Sequence, residues 1–296
     1  MSFIQARPAP AVATMSRASS AARRRPTVSA LMTTYAREKG EHLAQALESV
    51  FAQSVAPDQI VLVLDGPVGA DQEEVIARYR DDARIASVDI VRMADNRGLA
   101  AALNAGLERC AGEWVMRMDS DDVCHPDRLL IQVERVLAEP EIDVVSSWTE
   151  EFADGEEGVR LKSSPVRHDA VVQALRWRNV IVHPSILMRA GMLRRVGAYR
   201  IDYPLLEDYD LWARMAMAGA RFHVVPAVLV RMRAGLGQSA RRGGWRYCMH
   251  DIRFRTFLAR SGFLNLRQYA ATTSLYVAFR LAGTVLRGRL YGLART

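Results

Sequence analysis

"EWVMRMDSDD", residues 113–122, runs from an apolar stretch into three carboxylates, Asp119, Asp121 and Asp122, within four positions. Its first half, 113–118, reads as a buried strand, so the acids fall where that strand ends. Like charges this close repel, and burying them is costly unless something positive joins them. Working outward, the same strand type recurs at 27–33, 59–66 and 86–93. Between these runs, 40–54 carries Leu43, Leu47, Val50 and Phe51 at helical spacing. The segment 71–82 is a helix with an acidic first turn, as the helix dipole favours, and 98–110 is an Ala/Leu helix. Strands alternating with helices of roughly 10–15 residues predict an α/β fold. The sheet is expected to be Rossmann-like and mostly parallel, with helices on both faces.

Ligands of such sheets bind at the carboxyl ends of the strands. Those ends carry Thr33, Thr34 and Tyr35, then Asp65 and Gly66, then Asn96, Arg97 and Gly98, and finally the aspartate cluster. There is no P-loop, and no G-x-G-x-x-G follows the first strand, which argues against an ordinary dinucleotide-binding domain. Three carboxylates suit a hard divalent cation, Mg²⁺ or Mn²⁺, which takes oxygen ligands from protein and from phosphate. The competing reading is that they cap the helix opening near Pro126; capping accounts for one acid, not three.

The chain has 296 residues, 50% of them hydrophobic, enough for one or two domains. Cys110, Cys124 and Cys248 show no paired spacing, which argues against a zinc site or disulfide framework and for a reducing compartment. The net charge of +7 is uneven: +5 on residues 1–27 and +12 on 229–296, leaving −10 on the middle. The basic ends could meet an anionic membrane surface, but the acidic middle makes no nucleic-acid groove. Residues 1–26 read as a disordered basic tail without the apolar run of a secretory signal, though an organelle transit peptide shares that composition. Residues 269–286 are apolar except for Arg280, too interrupted to span a membrane. They suit a helix lying in a membrane interface, with Leu275, Phe279, Ala282 and Leu286 as its apolar stripe and Arg280 and Arg287 on one face. The other reading is a helix packed on the catalytic domain.

Several motifs stand in order: "VLDGP" (63–67), "NRGLAAALNAGL" (96–107), "MDSDD" (118–122) with "PDRLLIQ" (126–132), "HPSILMR" (183–189), "VGAYR" (196–200) and "LLEDYDLWARMAMAG" (205–219). Together they resemble the family 2 glycosyltransferases of GT-A fold, close to bacterial enzymes of exopolysaccharide and surface-glycan assembly. The resemblance covers about 28–260. It implies a catalytic domain over 27–235, with a nucleotide-sugar half at 27–122 and an acceptor half at 123–235. A basic, helical C-terminal extension then follows over 236–296.

The resemblance also implies roles. Tyr35 would stack on the base and Asp65 would accept the N3–H of uracil, with Thr33 and Arg97 along the same nucleotide edge. Asp119 would contact the ribose or the metal, and Asp121 would bind Mn²⁺ or Mg²⁺ on the diphosphate. Asp208 would be the general base, with Glu207 the alternative. Asp122 is a further supporting carboxylate. Arg128 and Arg233 would support the carboxylates or the diphosphate. His183 would shape the acceptor side or be a satisfied core histidine. Glu207, Asp208 and Asp210 could equally serve only to satisfy a helix N-terminus. Two departures fall at the base pocket: Thr33 and Ala36 stand where many members have Pro and Asn, and Leu64 stands where many have Asp.

The implied activity is metal-dependent, inverting transfer from a nucleotide-sugar, a UDP-sugar, to a glycan or lipid-linked acceptor. The implied location is cytoplasmic, peripheral on the inner face of the membrane. The rivals are a sugar nucleotidyltransferase, which has no job for the "EDYDLW" helix, and a non-catalytic carbohydrate-binding scaffold, for which intact acidic motifs are unnecessary.

Overall fold

The computed structural model describes residues 24–154, 159–233 and 244–281. Most of the expected tail (1–23), residues 239–243 of the arginine-rich stretch, and Ala282, Leu286 and Arg287 lie outside the described residues. The first half runs β1 (Val28–Thr34), α1 (Gly40–Phe51), β2 (Gln59–Leu64), α2 (Ala70–Arg80), β3 (Val88–Arg92), α3 (Leu99–Leu107) and β4 (Trp114–Asp119). Each strand–helix alternation falls where the apolar spacing places it. The second half runs β5 (Val123–Cys124), α4 (Arg128–Ala138), β6 (Val144–Phe152), β7 (Arg160–Lys162), α5 (His168–Leu175) and a 3-10 turn at His183–Ser185. It continues with β8 (Leu187–Arg189), α6 (Ala190–Arg195), α7 (Glu207–Met217) and β9 (Phe222–Arg233). Helices α8 (Trp245–Arg260) and α9 (Leu266–Leu281) close the described chain.

One sheet holds all nine strands in the order β3-β2-β1-β4-β8-β6-β9-β5, with β7 on β6. Strands β3, β2, β1 and β4 are parallel. β4 then meets β8 antiparallel, and the second half is mixed. The strand order turns at β1, between β2 and β4, which is the switch point where such sheets leave a crevice at their carboxyl ends. Both sheet faces are covered. One buried layer packs Leu43, Leu47, Val50 and Phe51 of α1 against the sheet; the other packs α3, α5, α7 and α8 against its opposite face. Gly106 on α3 lets that helix sit down on Leu31 and Val63.

The C-terminal helices differ from the interfacial reading. Arg280 is buried and donates to Asp251 Oδ2 at 2.7 Å, with its guanidinium 4.1 Å from the ring centre of Tyr247. Arg255, also buried, lies 3.8 Å from the Tyr276 ring centre. The charge placed on a polar outer face by sequence therefore points inward and pins α9 to α8, because an aspartate and two tyrosine rings receive it. Leu275 is 66% exposed and Phe279 is half-buried. α8 in turn docks on the core beside α7, where Phe254 is fully buried between Tyr203 and Tyr209 at 5.4 and 5.0 Å. Among the described residues no helix is long and apolar enough to cross a membrane.

Asp251→Ala leaves the guanidinium of Arg280 buried without its carboxylate. The expected cost is about 3–5 kcal/mol in urea unfolding. A loss below about 1 kcal/mol, the range of an exposed pair, would show that the ion pair does not hold α9 in place.

Candidate active site

Thr33 of β1 and Asp119 of β4 are register partners, so the end of β4 opens into the switch-point crevice. Side chains two apart on a strand share a face, and Arg117 and Asp119 do so. Arg117 is 1% exposed, and its Nη2 donates to Asp119 Oδ1. This is the positive partner of the cluster, two residues before it in the same strand. Strand parity alone would have found it.

Asp119, Asp121 and Asp122 each offer a carboxylate oxygen, all within 4.8 Å of one another. Burial, followed by the charges of Asp119 and Glu38, pushes the Asp121 carboxyl up to about 7. Burial, followed by Asp119 and Asp121, pushes Asp122 well above the carboxylate range. Among the described residues, the buried Asp122 Oδ2 also lacks a hydrogen-bond partner. Three crowded carboxylates, two of them resisting ionisation, are a donor set that a divalent cation fits, because the cation's charge would offset the burial and the repulsion that raise their pKa values.

β9 closes the cluster from the far side. The Arg233 backbone N–H donates to Asp122 Oδ1 at 2.8 Å, and its Nε donates to the Asp121 carbonyl at 3.0 Å. The same guanidinium pairs with Asp154 and donates to Gln45 Oε1 at 2.8 Å. Arg128 does not do what the sequence suggested. It is fully buried and donates to the carbonyls of Arg117 (2.8 Å) and Ile186 (3.1 Å) and to Gln132 Oε1 (3.2 Å). It clips β4 to the segment before β8, beneath the site, rather than meeting the acids. Nor do the acids cap α4. No side chain caps at Asp127, and Gln53 Oε1 takes the Leu129 N–H at 3.0 Å.

At the nucleotide edge Asp65 is buried, and its two oxygens accept the N–H groups of Arg97 (2.7 Å) and Gly98 (2.9 Å). It therefore holds the turn into α3 from the neighbouring strand. Gly66 follows at φ +85°, with the Asn96 nitrogen 2.8 Å from where a Cβ would stand, so both backbone and space require glycine there. Tyr35 and Thr33 are half-buried, and the Arg97 side chain is exposed. Leu64 is 1% exposed and packs in the core beneath α1.

The acceptor-half motifs converge on the same layer. Asn104 of α3 exchanges two hydrogen bonds with the backbone of Tyr199, at 2.7 and 3.0 Å. The Tyr199 hydroxyl meets His183 Nε2 at 2.8 Å, and His183 lies edge-on to the fully buried Trp212. Burial and the charge of Arg117 hold His183 well below its ordinary pKa, so it is a neutral, satisfied core histidine. Asp210 is fully buried and accepts from Arg214 Nε at 2.7 Å. The other Arg214 nitrogens donate to the carbonyls of Val196 (2.5 Å) and Ala198 (2.6 Å), fixing a turn in which Ala198 has φ +53°. Asp210 thus anchors the 196–200 loop.

The other two acids of α7 face the crevice differently. Glu207 is 8% exposed; burial and the adjacent Asp208 push it up to about 7. Asp208 is half-buried, and its oxygens accept from Asn179 Nδ2 and the Tyr209 N–H, both at 2.7 Å. Asn179, Tyr199 and Glu38 were not singled out by sequence. They lie in loops or beside them, where no periodicity marks a contact.

A family model described as "Glycosyl transferase family 2" matches residues 29–197. The chain is 36% identical over 241 residues to the amylovoran biosynthesis glycosyltransferase AmsE of Erwinia amylovora, covering 80% of this chain and 88% of that one. The chain belongs to glycosyl transferase family 2. It is a glycosyltransferase with the GT-A-type α/β fold. It is also 30% identical over 268 residues, 90% of this chain and 95% of the other, to the Escherichia coli UDP-Gal:alpha-D-GlcNAc-diphosphoundecaprenol beta-1,3-galactosyltransferase. In fold it resembles the mannosyltransferase PcManGT of Pyrobaculum calidifontis, solved with GDP-Man and Mn²⁺, at TM-score 0.62 and 20% identity over 86% of this chain and 70% of that one.

Glu207 carries a raised carboxyl pKa, so its ionised form opposes folding as pH rises through about 7. Glu207→Gln removes that charge. Urea unfolding at about pH 8 is expected to show a gain on the order of 2 kcal/mol, shrinking as pH falls toward about 4.5, where the wild-type carboxyl is neutral in both states. A destabilised variant at high pH would show that the charge is held favourably.

Proposed function

We propose that this glycosyltransferase moves a sugar, with inversion, from a UDP-sugar to a lipid-linked glycan acceptor in surface polysaccharide synthesis, and that it depends on a divalent cation. The observation that supports it most is the pair of acidic groups across one buried layer. Asp119, Asp121 and Asp122 lie at the end of β4, Glu207 and Asp208 lie at the head of α7, and the charge of Arg117 is felt on both sides. The Escherichia coli relative, named for a UDP-Gal donor and a diphosphoundecaprenol-linked acceptor, supports the donor and acceptor classes. The Mn²⁺ bound by the Pyrobaculum calidifontis mannosyltransferase supports the cofactor.

On this reading Tyr35 stacks on the base, and Asp65, already fixed by two backbone N–H groups, presents its remaining acceptor capacity to uracil. Thr33 and Arg97 flank the nucleotide. Asp119 and Asp121 hold Mn²⁺ or Mg²⁺, which when bound supplies positive charge for the departing diphosphate. Arg233 keeps the loop of Asp121 and Asp122 in place. Asp208 takes the proton from the acceptor hydroxyl as that oxygen bonds to the anomeric carbon and the bond to the diphosphate breaks on the opposite face. Asn179 orients Asp208 through its Oδ2.

Glu207 is the alternative base, favoured by one observation: its pKa of about 7 suits proton transfer near neutrality. The two are separable. With Glu207 as base, kcat/KM falls about tenfold per pH unit below about 7, and Glu207→Gln abolishes transfer. With Asp208 as base, Asp208→Asn binds donor normally but turns over at least about a hundredfold more slowly, while Glu207→Gln remains active.

The donor is tested by calorimetric titration of UDP, GDP and dTDP with and without Mn²⁺. The expected result is binding of UDP that needs Mn²⁺ and is lost in Asp121→Ala. Equal binding without metal, or metal dependence unchanged in that variant, would refute the cation assignment.

A further inference from the structure

The Arg117 guanidinium is sealed inside the protein at 1% exposure, on a strand whose register partner Leu31 is fully buried in the apolar core. Its strand neighbours Val115, Met116 and Met118 are fully buried hydrophobes. A cation in such a place costs several kcal/mol unless paired, and a well-packed apolar residue of similar volume is often neutral or better for stability. Packing alone does not call for arginine at this position.

Its surroundings call for one. Nη2 donates to Asp119 Oδ1, while Nε and Nη1 have no hydrogen-bond partner among the described residues. The bond takes one oxygen of Asp119 and restrains the carboxylate, which is half-buried where β4 ends. Asp119 in turn stands within one cluster with Asp121 and Asp122, their carboxylate oxygens all within 4.8 Å, and the charge of Arg117 is felt at Asp121, Asp122, Glu207, His183 and Tyr199.

We infer that Arg117 is a positioning residue for transfer: it locks the Asp119 carboxylate in one orientation at the nucleotide edge. The inference rests on the donor reading above, in which Asp119 meets the nucleotide or its cation. Arg117 acts through Asp119, as groups hydrogen-bonded behind a metal or phosphate ligand do. Without it, Asp119 would repel Asp121 and Asp122 unopposed and rotate freely.

A double-variant cycle tests this, with UDP titrated in the presence of Mn²⁺ against wild type, Arg117→Gln, Asp119→Asn and the combined variant, each shown folded by circular dichroism and melting. Each single variant is expected to weaken UDP binding by about ten- to a hundredfold. The combined variant is expected to bind no more weakly than the weaker single one, because both changes remove the same oriented carboxylate. A merely structural role would lower the melting temperature and let the two losses multiply. Multiplying losses, or unchanged UDP affinity in folded Arg117→Gln, would overturn the inference. If Arg117→Gln does not fold, the same cycle with Arg117→Lys is decided by the same criterion, since lysine keeps the charge but not the planar fork. A wild-type protein that binds no UDP with Mn²⁺ would instead overturn the donor reading beneath it.

Discussion

The architecture depends on one constraint: five carboxylates must converge on one end of a sheet without driving it apart. Water would solve this by solvation, but Asp122 and Glu207 are buried and Asp121 is half-buried. The chain meets the problem with fixed positive groups and backbone dipoles. Arg117 reaches Asp119 from within the strand, Arg233 reaches the Asp121–Asp122 loop from β9, and the N-terminus of α7 receives Glu207 and Asp208. The compensation is incomplete, as the raised Asp121, Asp122 and Glu207 carboxyls show. Residual electrostatic strain of this kind clusters where a ligand is to be bound.

The first half of the fold was legible because its signal is local. Four apolar strand runs, three helices and polar strand ends can be read from windows of ten to fifteen residues or so, and the observed elements start and stop within a few residues of those windows. The second half was less so. β5 and β7 are two and three residues long, and β8 is three, too short for any period to register. They exist because neighbouring strands offer unpaired edges, which is a tertiary cause.

The candidate site divides along the same line. The carboxylates themselves stand out in the sequence, because acids after an apolar run are unexpected. Arg117 was legible through strand parity, but Asn179 and Tyr199 acquire meaning only from what the fold brings opposite. Arg128 shows the converse: its place after the aspartates invited a role beside them, yet the first turn of α4 directs it beneath the sheet onto two carbonyls. Proximity along the chain is a poor guide where a two-residue strand and a tight turn intervene. Arg280 was misplaced for a related reason. An arginine in an apolar run reads as an outward charge until a buried aspartate on the preceding helix is seen to receive it.

The family's ordered motifs acquire a physical reason once the contacts are traced. Asn104 from one motif holds the Tyr199 backbone from another; Tyr199 meets His183 from a third; His183 abuts Trp212, two residues from Asp210 and its clamp on the 196–200 turn. Arg117 closes the circuit from the aspartate motif. The neutral bonds among these are worth about 1 kcal/mol net each. Their value lies in register. Each fixes where a loop or strand of one half stands against an element of the other. Transfer between two bound substrates rewards that rigidity more than it rewards stability, because misplacement by about an ångström costs far more in rate than a lost hydrogen bond costs in folding. The site is built from residues that a more stable protein would not keep buried together.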